Sequence, residues 1–186
     1  MRIIMKVSKT EIEGVYIIEP QVFEDARGYF FESWNKAKLK EQGIDYDFIQ
    51  DNQSKSCYGT IRGIHFQKGK YAQAKLVRVL EGTVLDVAVD LRPDSKTFGK
   101  HVAVELSAEN KKQLMIPRGF GHGFSVLTPT ATFAYKCDNV YCKESEGGLL
   151  YNDPALAIDW KVPEDKVILS EKDKKNPRLE EIECIW

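Results

Sequence analysis

The chain has 186 residues, 27 basic and 28 acidic, for a formal net charge of -1, with a mean hydropathy of -0.39. Scattered, balanced charge gives no electrostatic case for DNA, RNA or a membrane surface as partner, and no run approaches the ~18 apolar residues of a membrane span. A chain of this length buries about 70% of its unfolded surface, so one domain over 1–186 needs no staple.

The four cysteines, Cys57, Cys137, Cys142 and Cys184, form no CxxC pair. They read as reduced thiols of an intracellular protein. Residues 1–6 become charged too soon for the apolar core of a signal peptide, so the cytoplasm is the expected location.

Residues 3–34 read as strands. An apolar run at 15–18 is closed by Pro20, a polar turn covers 24–28, and an aromatic stretch covers 28–34. The spacing predicts a short surface helix over 35–42, capped by Asn35 and stopped by Gly43. From Phe48 onward, turn signals recur about every 8–12 residues, which predicts an all-β sandwich or barrel.

Residues 59–90 are central. Arg62 and His65 lie three apart among glycines, and Lys75 opens an apolar run that turns at Glu81 and Gly82. In the next strand, period-two alternation puts Asp86 and Asp90 on one face and Val87 and Val89 on the other. Strands follow at 102–106 and 113–116; a glycine-punctuated loop at 117–124 enters another, and 132–137 alternates. After residue 148 the chain reads as irregular, ending in a polar tail.

His65, Lys75, Asp86, His122 and Tyr135 fall on or beside separate predicted strands, positions that a barrel mouth gathers into one pocket. An imidazole suits general-base work because its reference pKa is about 6.5, and a carboxylate can orient it. A three-histidine metal site is disfavoured: only His65, His101 and His122 are present, with no H-x-H pair. P-loop, dinucleotide and G-x-S-x-G signatures are absent, and Cys57 or Cys137 has nothing beyond its residue type to mark it as a nucleophile.

Taken in order, DARGYF at 25–30, QDN at 50–52, IRGIHFQ at 61–67, QAKLVR at 73–78, DVAVD at 86–90, IPRGFGHGF at 116–124, YK at 135–136 and SEKD at 170–173 form a specific series. The chain resembles the dTDP-4-dehydrorhamnose 3,5-epimerase family nearly end to end. The resemblance implies an all-β, cupin-type jelly roll with a few short surface helices. Its core would span about 45–140, with N-terminal strands and C-terminal tail packed on it. It implies a cytoplasmic homodimer working without metal or organic cofactor on a dTDP-linked 4-keto-6-deoxy sugar.

By that resemblance the reaction is epimerisation at carbons 3 and 5 of dTDP-4-dehydro-6-deoxy-D-glucose, on the way to dTDP-L-rhamnose. His65 would be the base, Asp173 its carboxylate partner, Tyr135 the acid on the opposite face, and Lys75 the stabiliser of the enolate oxygen. His122 would line the sugar pocket, with Asp86 supporting Lys75 or His122. Arg27 and Arg62 would hold the diphosphate. Glu32, Gln50, Asp51, Asn52, Glu146 and Lys172 would contact the nucleotide, and Tyr141 would stack on thymine. Arg27 and Glu32 would serve a neighbouring subunit's site.

Two stretches depart from the family pattern: Arg118 and Gly121 stand where glutamate and alanine are usual, and KGKYA at 68–72 replaces a proline-bearing run. The alternatives are a 3-epimerase of a related nucleotide-linked 4-ketosugar, and a metal-binding or non-catalytic cupin.

Overall fold

A computed structural model of the chain describes residues 5–182. The strands are β1 (Lys6–Lys9), β2 (Tyr16–Glu19), β3 (Phe23–Asp25), β4 (Gly28–Phe30), β5 (Gln50–Cys57), β6 (Ile61–Gln67) and β7 (Lys75–Glu81). They continue with β8 (Thr83–Asp90), β9 (His101–Ser107), β10 (Gln113–Ile116), β11 (Phe120–Val126), β12 (Thr130–Cys137) and β13 (Glu146–Gly148). Helix α1 covers Lys36–Lys40, and short 3-10 turns punctuate the C-terminal third. Cys184 and the first two residues of the expected 3–34 strand region lie outside the described residues.

A six-stranded sheet, ordered β1-β2-β10-β7-β12-β5, faces a five-stranded sheet, ordered β13-β6-β11-β8-β9. Pairing within both is antiparallel. This is the expected all-β, jelly-roll arrangement. No described helix is long and apolar enough to cross a membrane.

Alternation along the strands divides the apolar residues among three layers. Val77, Val79, Ala88, Leu114, Phe124 and Phe133 fill the space between the sheets. Ile61, Ile64, Val87 and Val89 point outward beneath the C-terminal segment, against Leu149, Leu156 and Trp160. The valines of β8 thus serve the outer layer while Asp86 and Asp90 point inward, both with no exposed surface. Each fully buried side chain of this size contributes about 1.5–3 kcal/mol.

The helix is shorter than the 35–42 span predicted, but its ends are as read. The Asn35 side chain accepts from the Lys38 amide at 3.1 Å. Gly43 takes a φ of +84°, and the amides of Gly43 and Ile44 return to the carbonyls of Lys40 and Leu39 in a Schellman pattern. It is not merely a surface helix. Leu39 and Ile44 are fully buried with Ala74, Leu76 and Met115 on the outer face of the six-stranded sheet.

Two other expectations change. The glycine-rich stretch 117–124 is a loop only to residue 119; Gly121, His122 and Gly123 lie in β11, a central, fully buried strand. Glycine is needed there for approach rather than for turning. A Cβ on Gly121 would sit 2.5 Å from the Ile64 side chain, and one on Gly123 2.9 Å from the Arg62 carbonyl. The segment after residue 148 is indeed irregular, but just before it β13 adds an edge to β6.

Candidate active site

The site begins at a bulge. Arg62 and His65 have odd spacing, so a regular strand would send them to opposite faces. In the β6–β11 ladder, however, His65 pairs with His122 and Arg62 with Phe124, so β6 carries one extra residue. Ile61, Ile64 and Phe66 can therefore share the outer layer, leaving Arg62 and His65 on the other face. Gly63 permits this. Its φ is +115°, and a Cβ there would lie 2.6 Å from both the Gly123 Cα and the His122 carbonyl.

A cavity of about 360 Å³ opens between the sheets, lined by His65, Phe66, Gln67 and Glu146 on one side and Gln50, Asn52, Lys75 and Tyr135 on the other, with Cys137 and Tyr141. His65 Nε2 lies 2.6 Å from Asp173 Oδ1, 108 positions later in the chain. Asp173 is buried, with its side chain 4% exposed against 33% for His65. Burial alone would raise the Asp173 carboxyl, but His65, the Ser170 hydroxyl and the Gly63 amide outweigh it and hold it below its ordinary value. The carboxylate stays ionised and fixes the ring, while His65 keeps an open side toward the cavity.

Lys75 opens β7 across from Cys137. Its Nζ stands 5.9 Å from the centre of the Tyr135 ring and makes no hydrogen bond or ion pair among the described residues. Burial lowers its pKa, against the pull of Cys137, Asp86 and Glu146. Burial pushes the Tyr135 phenol the other way, with Cys137 adding and Arg62 opposing. The cavity therefore holds an ammonium with no resident counter-ion beside a phenol that keeps its proton. That pairing suits an anion developing on a substrate oxygen.

Behind this wall His122 Nε2 meets Asp86 Oδ2 at 2.9 Å, both buried. Asp86 Oδ1 has no hydrogen-bond partner among the described residues. Burial lowers the His122 pKa, Asp86 opposes, and Lys75 and His65 add to the lowering. Phe133 stacks on His122 at 5.9 Å and lies 6.1 Å from Tyr135, so one ring spaces the histidine from the phenol. Asp90, the other acid of β8, has a different role. Burial would raise its carboxyl, but Arg92, Ser95 and Thr97 hold it down at about 2, in a closed local network.

A second opening of about 440 Å³ continues past His65 and Asp173 to Arg62, Ser56, Ser170 and Lys172. Arg62 is exposed, and Ser56 accepts from its Nε at 3.0 Å, while its terminal nitrogens have no hydrogen-bond partner among the described residues and can meet an anion. Lys172 pairs with Glu146, whose Oε2 accepts from the Tyr141 hydroxyl at 3.1 Å. The chain alone does not bring three expected residues here. Asp51 sits on the opposite face of β5 from Gln50 and Asn52, paired with Lys136 at 2.6 Å. Arg27 lies on the β3–β4 hairpin, 90% exposed and paired with Asp25, and Glu32 is bound to Lys38 and Asn35.

The profile of the family described as dTDP-4-dehydrorhamnose 3,5-epimerase matches residues 9–181. The chain belongs to the dTDP-4-dehydrorhamnose 3,5-epimerase family. It is 52% identical over 180 residues to the enzyme of that name from Escherichia coli, covering 96% of each chain. The crystal structure of the Elizabethkingia anophelis enzyme of that name superposes with a TM-score of 0.91 at 60% identity, covering 95% of this chain and 97% of that one. A dTDP-6-deoxy-D-glucose-3,5-epimerase from Legionella pneumophila, in complex with dTDP-4-keto-L-rhamnose, gives 0.93 at 49% identity, covering 96% and 95%.

Within this family fold, sequence reasoning passed over Gln67, Gln73 and Cys137 as cavity walls and Ser56 and Ser170 as holders of Arg62 and Asp173. Period-two alternation in β5 places Ser56 on the face of Gln50 and Asn52, a signal that was legible. The others needed the strand pairing. The Cys137 thiol is no nucleophile: burial pushes its pKa up to about 11, with Lys75 opposing. No group of three or more His, Cys, Asp and Glu that could hold a metal ion is found among the described residues.

Proposed function

We propose that the chain epimerises carbons 3 and 5 of dTDP-4-dehydro-6-deoxy-D-glucose to give dTDP-4-dehydro-L-rhamnose, a step in dTDP-L-rhamnose biosynthesis. One observation carries this reading: His65 and Tyr135 line the same cavity from the two facing sheets. Both reacting carbons flank the carbon 4 ketone, which acidifies their protons. His65 takes a proton from one face of the sugar, and the ionised Asp173 carboxylate stabilises the imidazolium that forms. The enolate oxygen is met by Lys75, a contribution of about 10²–10³ in rate. Tyr135 returns a proton to the other face, worth about 10²–10⁴ for a placed acid.

Arg62 takes the diphosphate, with Gln50, Asn52, Tyr141, Glu146 and Lys172 around the nucleotide and His122, backed by Asp86, behind the sugar. These groups suffice without metal or organic cofactor. Arg27 and Glu32 complete the site across a homodimer, a reading supported by the projecting β3–β4 hairpin and its exposed Phe23, Tyr29 and Phe30. Free thiols at Cys57, Cys137 and Cys142 support a cytoplasmic location.

Incubation with dTDP-4-dehydro-6-deoxy-D-glucose in D₂O tests the reading. Deuterium at carbons 3 and 5 supports it, deuterium at carbon 3 alone makes the protein a 3-epimerase, and none removes both enzymatic readings. Light scattering tests the dimer.

A further inference from the structure

We propose that Asp138 is a positioning residue for Lys75, and that Arg118 holds Asp138 in that task. The inference rests on the reading of Lys75 as the charge that meets the enolate oxygen.

The Lys75 ammonium has no hydrogen bond or ion pair among the described residues, so its place in the cavity is set by its backbone and by packing on Tyr135. Four flexible carbons carry the charge, and small errors at the Cα are magnified at Nζ. What fixes the backbone is the residue before it. Ala74 is fully buried with Leu76, Leu39 and Met115 on the outer layer, which turns Lys75 toward the space between the sheets by strand alternation.

Asp138 grips Ala74 twice. Its Oδ1 accepts from the Ala74 amide at 2.7 Å, and its own amide donates to the Ala74 carbonyl at 3.2 Å. Oδ2 accepts from Arg118 Nε at 2.9 Å, in a pair whose side chains are 6% and 49% exposed for Asp138 and Arg118. A carboxylate so buried needs its charge partner. Without Arg118 it gains by turning toward water, and that rotation breaks the bond to the Ala74 amide. The next residue extends the grip: the Asn139 side chain donates to the Lys70 and Ala72 carbonyls, and its own carbonyl accepts from Gln73 Nε2 at 2.8 Å. The end of β12 thus clamps the start of β7. Arg118, from the β10–β11 turn, locks the clamp from outside.

Steady-state kinetics and thermal melting of the full chain carrying Arg118→Ala, Arg118→Lys, Asp138→Asn, Lys75→Ala and the double variant Arg118→Ala/Lys75→Ala provide the test. Misplacement of a reacting group by about 1 Å costs up to about 10²-fold. Arg118→Ala is therefore expected to lower kcat about tenfold with KM within about twofold, and Arg118→Lys to recover most of the loss. In Asp138→Asn the new amide nitrogen opposes the arginine donors, so kcat falls similarly. Adding Arg118→Ala to Lys75→Ala should cause no further loss, because the lever has nothing left to position.

Losses that multiply in the double variant, or unchanged kcat in Arg118→Ala, overturn the proposal. Wild-type kcat in Lys75→Ala removes the underlying reading of Lys75 instead. The two failures are distinct, because the first leaves Lys75→Ala impaired. Arg118 is half exposed, so its variants keep the fold and the test stands even if Asp138→Asn unfolds.

Discussion

His65 and His122 stand opposite each other in the antiparallel register of β6 and β11, yet their rings are held by different aspartates. Asp173, from the C-terminal tail, holds His65 at 2.6 Å, and Asp86, from β8, holds His122 at 2.9 Å. The first ring opens on the cavity, whereas the second is buried. Two neighbouring imidazoles thereby acquire different surroundings, one part-exposed to the cavity and one enclosed behind its wall.

His65→Ala should abolish deuterium exchange at both carbons while leaving the melting temperature within a few degrees, since the ring is part-exposed. Asp173→Asn should retain the fold and lose about 10²-fold or more in kcat, as the ring loses the carboxylate that orients it. Full exchange in His65→Ala removes it as the base. The Asp173 carboxyl is depressed in the fold, so its stabilising contribution is present above the unfolded value of about 3.9 and disappears only as pH falls through the lower folded value. Acid loss of activity above pH 5 is therefore not assigned to it.

Burial moves Lys75 and Tyr135 apart, the ammonium down and the phenol up. As pH rises, the Lys75 ammonium is therefore discharged below the range of a free lysine, while the Tyr135 phenol keeps its proton past the range of a free tyrosine. Cys137, Asp86 and Glu146 oppose the fall but do not reverse it. The alkaline limb of kcat should therefore move to higher pH in Lys75→Arg, at reduced rate. A limb that does not move belongs to another group.

The downward shift of the part-buried Lys75 ammonium also implies a cost to the fold. With its folded pKa below the unfolded one, stability is reduced while the lysine is charged and rises with pH across the interval between the two values. Lys75→Met should raise the melting temperature at neutral pH and flatten that rise, while cutting kcat by about 10²–10³. A lower melting temperature would show that the ammonium is compensated in the fold.

Asp86→Asn removes the charge that opposes the lowering of both His122 and Lys75. The His122 titration, followed by NMR, should move further down, and the alkaline limb of kcat should move to lower pH. Asp86→Ala leaves a nitrogen of the neutral, buried His122 ring without its partner and should destabilise by about 1–3 kcal/mol.

The bulge gives a purely steric prediction. Gly63→Ala brings a methyl group within 2.6 Å of two backbone atoms of β11. Because both neighbours are backbone, nothing can move aside cheaply. The variant should lose more than about 3 kcal/mol of stability and most activity together. A stable variant with normal kinetics would show that β6 can regularise without displacing Arg62 and His65.

The sequence alone determined the all-β class, the helix caps at Asn35 and Gly43, the face of β8 that carries Asp86, and, through ordered motifs, the family. These are local properties: alternation, capping chemistry and turn residues are written over a few neighbouring positions. Only the tertiary structure decided that Arg62 and His65 share a face, because the bulge depends on how closely β11 approaches Gly63. It alone decided that the glycines at 121 and 123 make a strand rather than a loop, since the collisions that require them come from Ile64 and Arg62. It alone brought Arg118 to Asp138, and Asp138 to the backbone of Ala74 beside Lys75. Contacts between residues tens of positions apart leave no periodic trace in the chain, and strand pairing is what creates them.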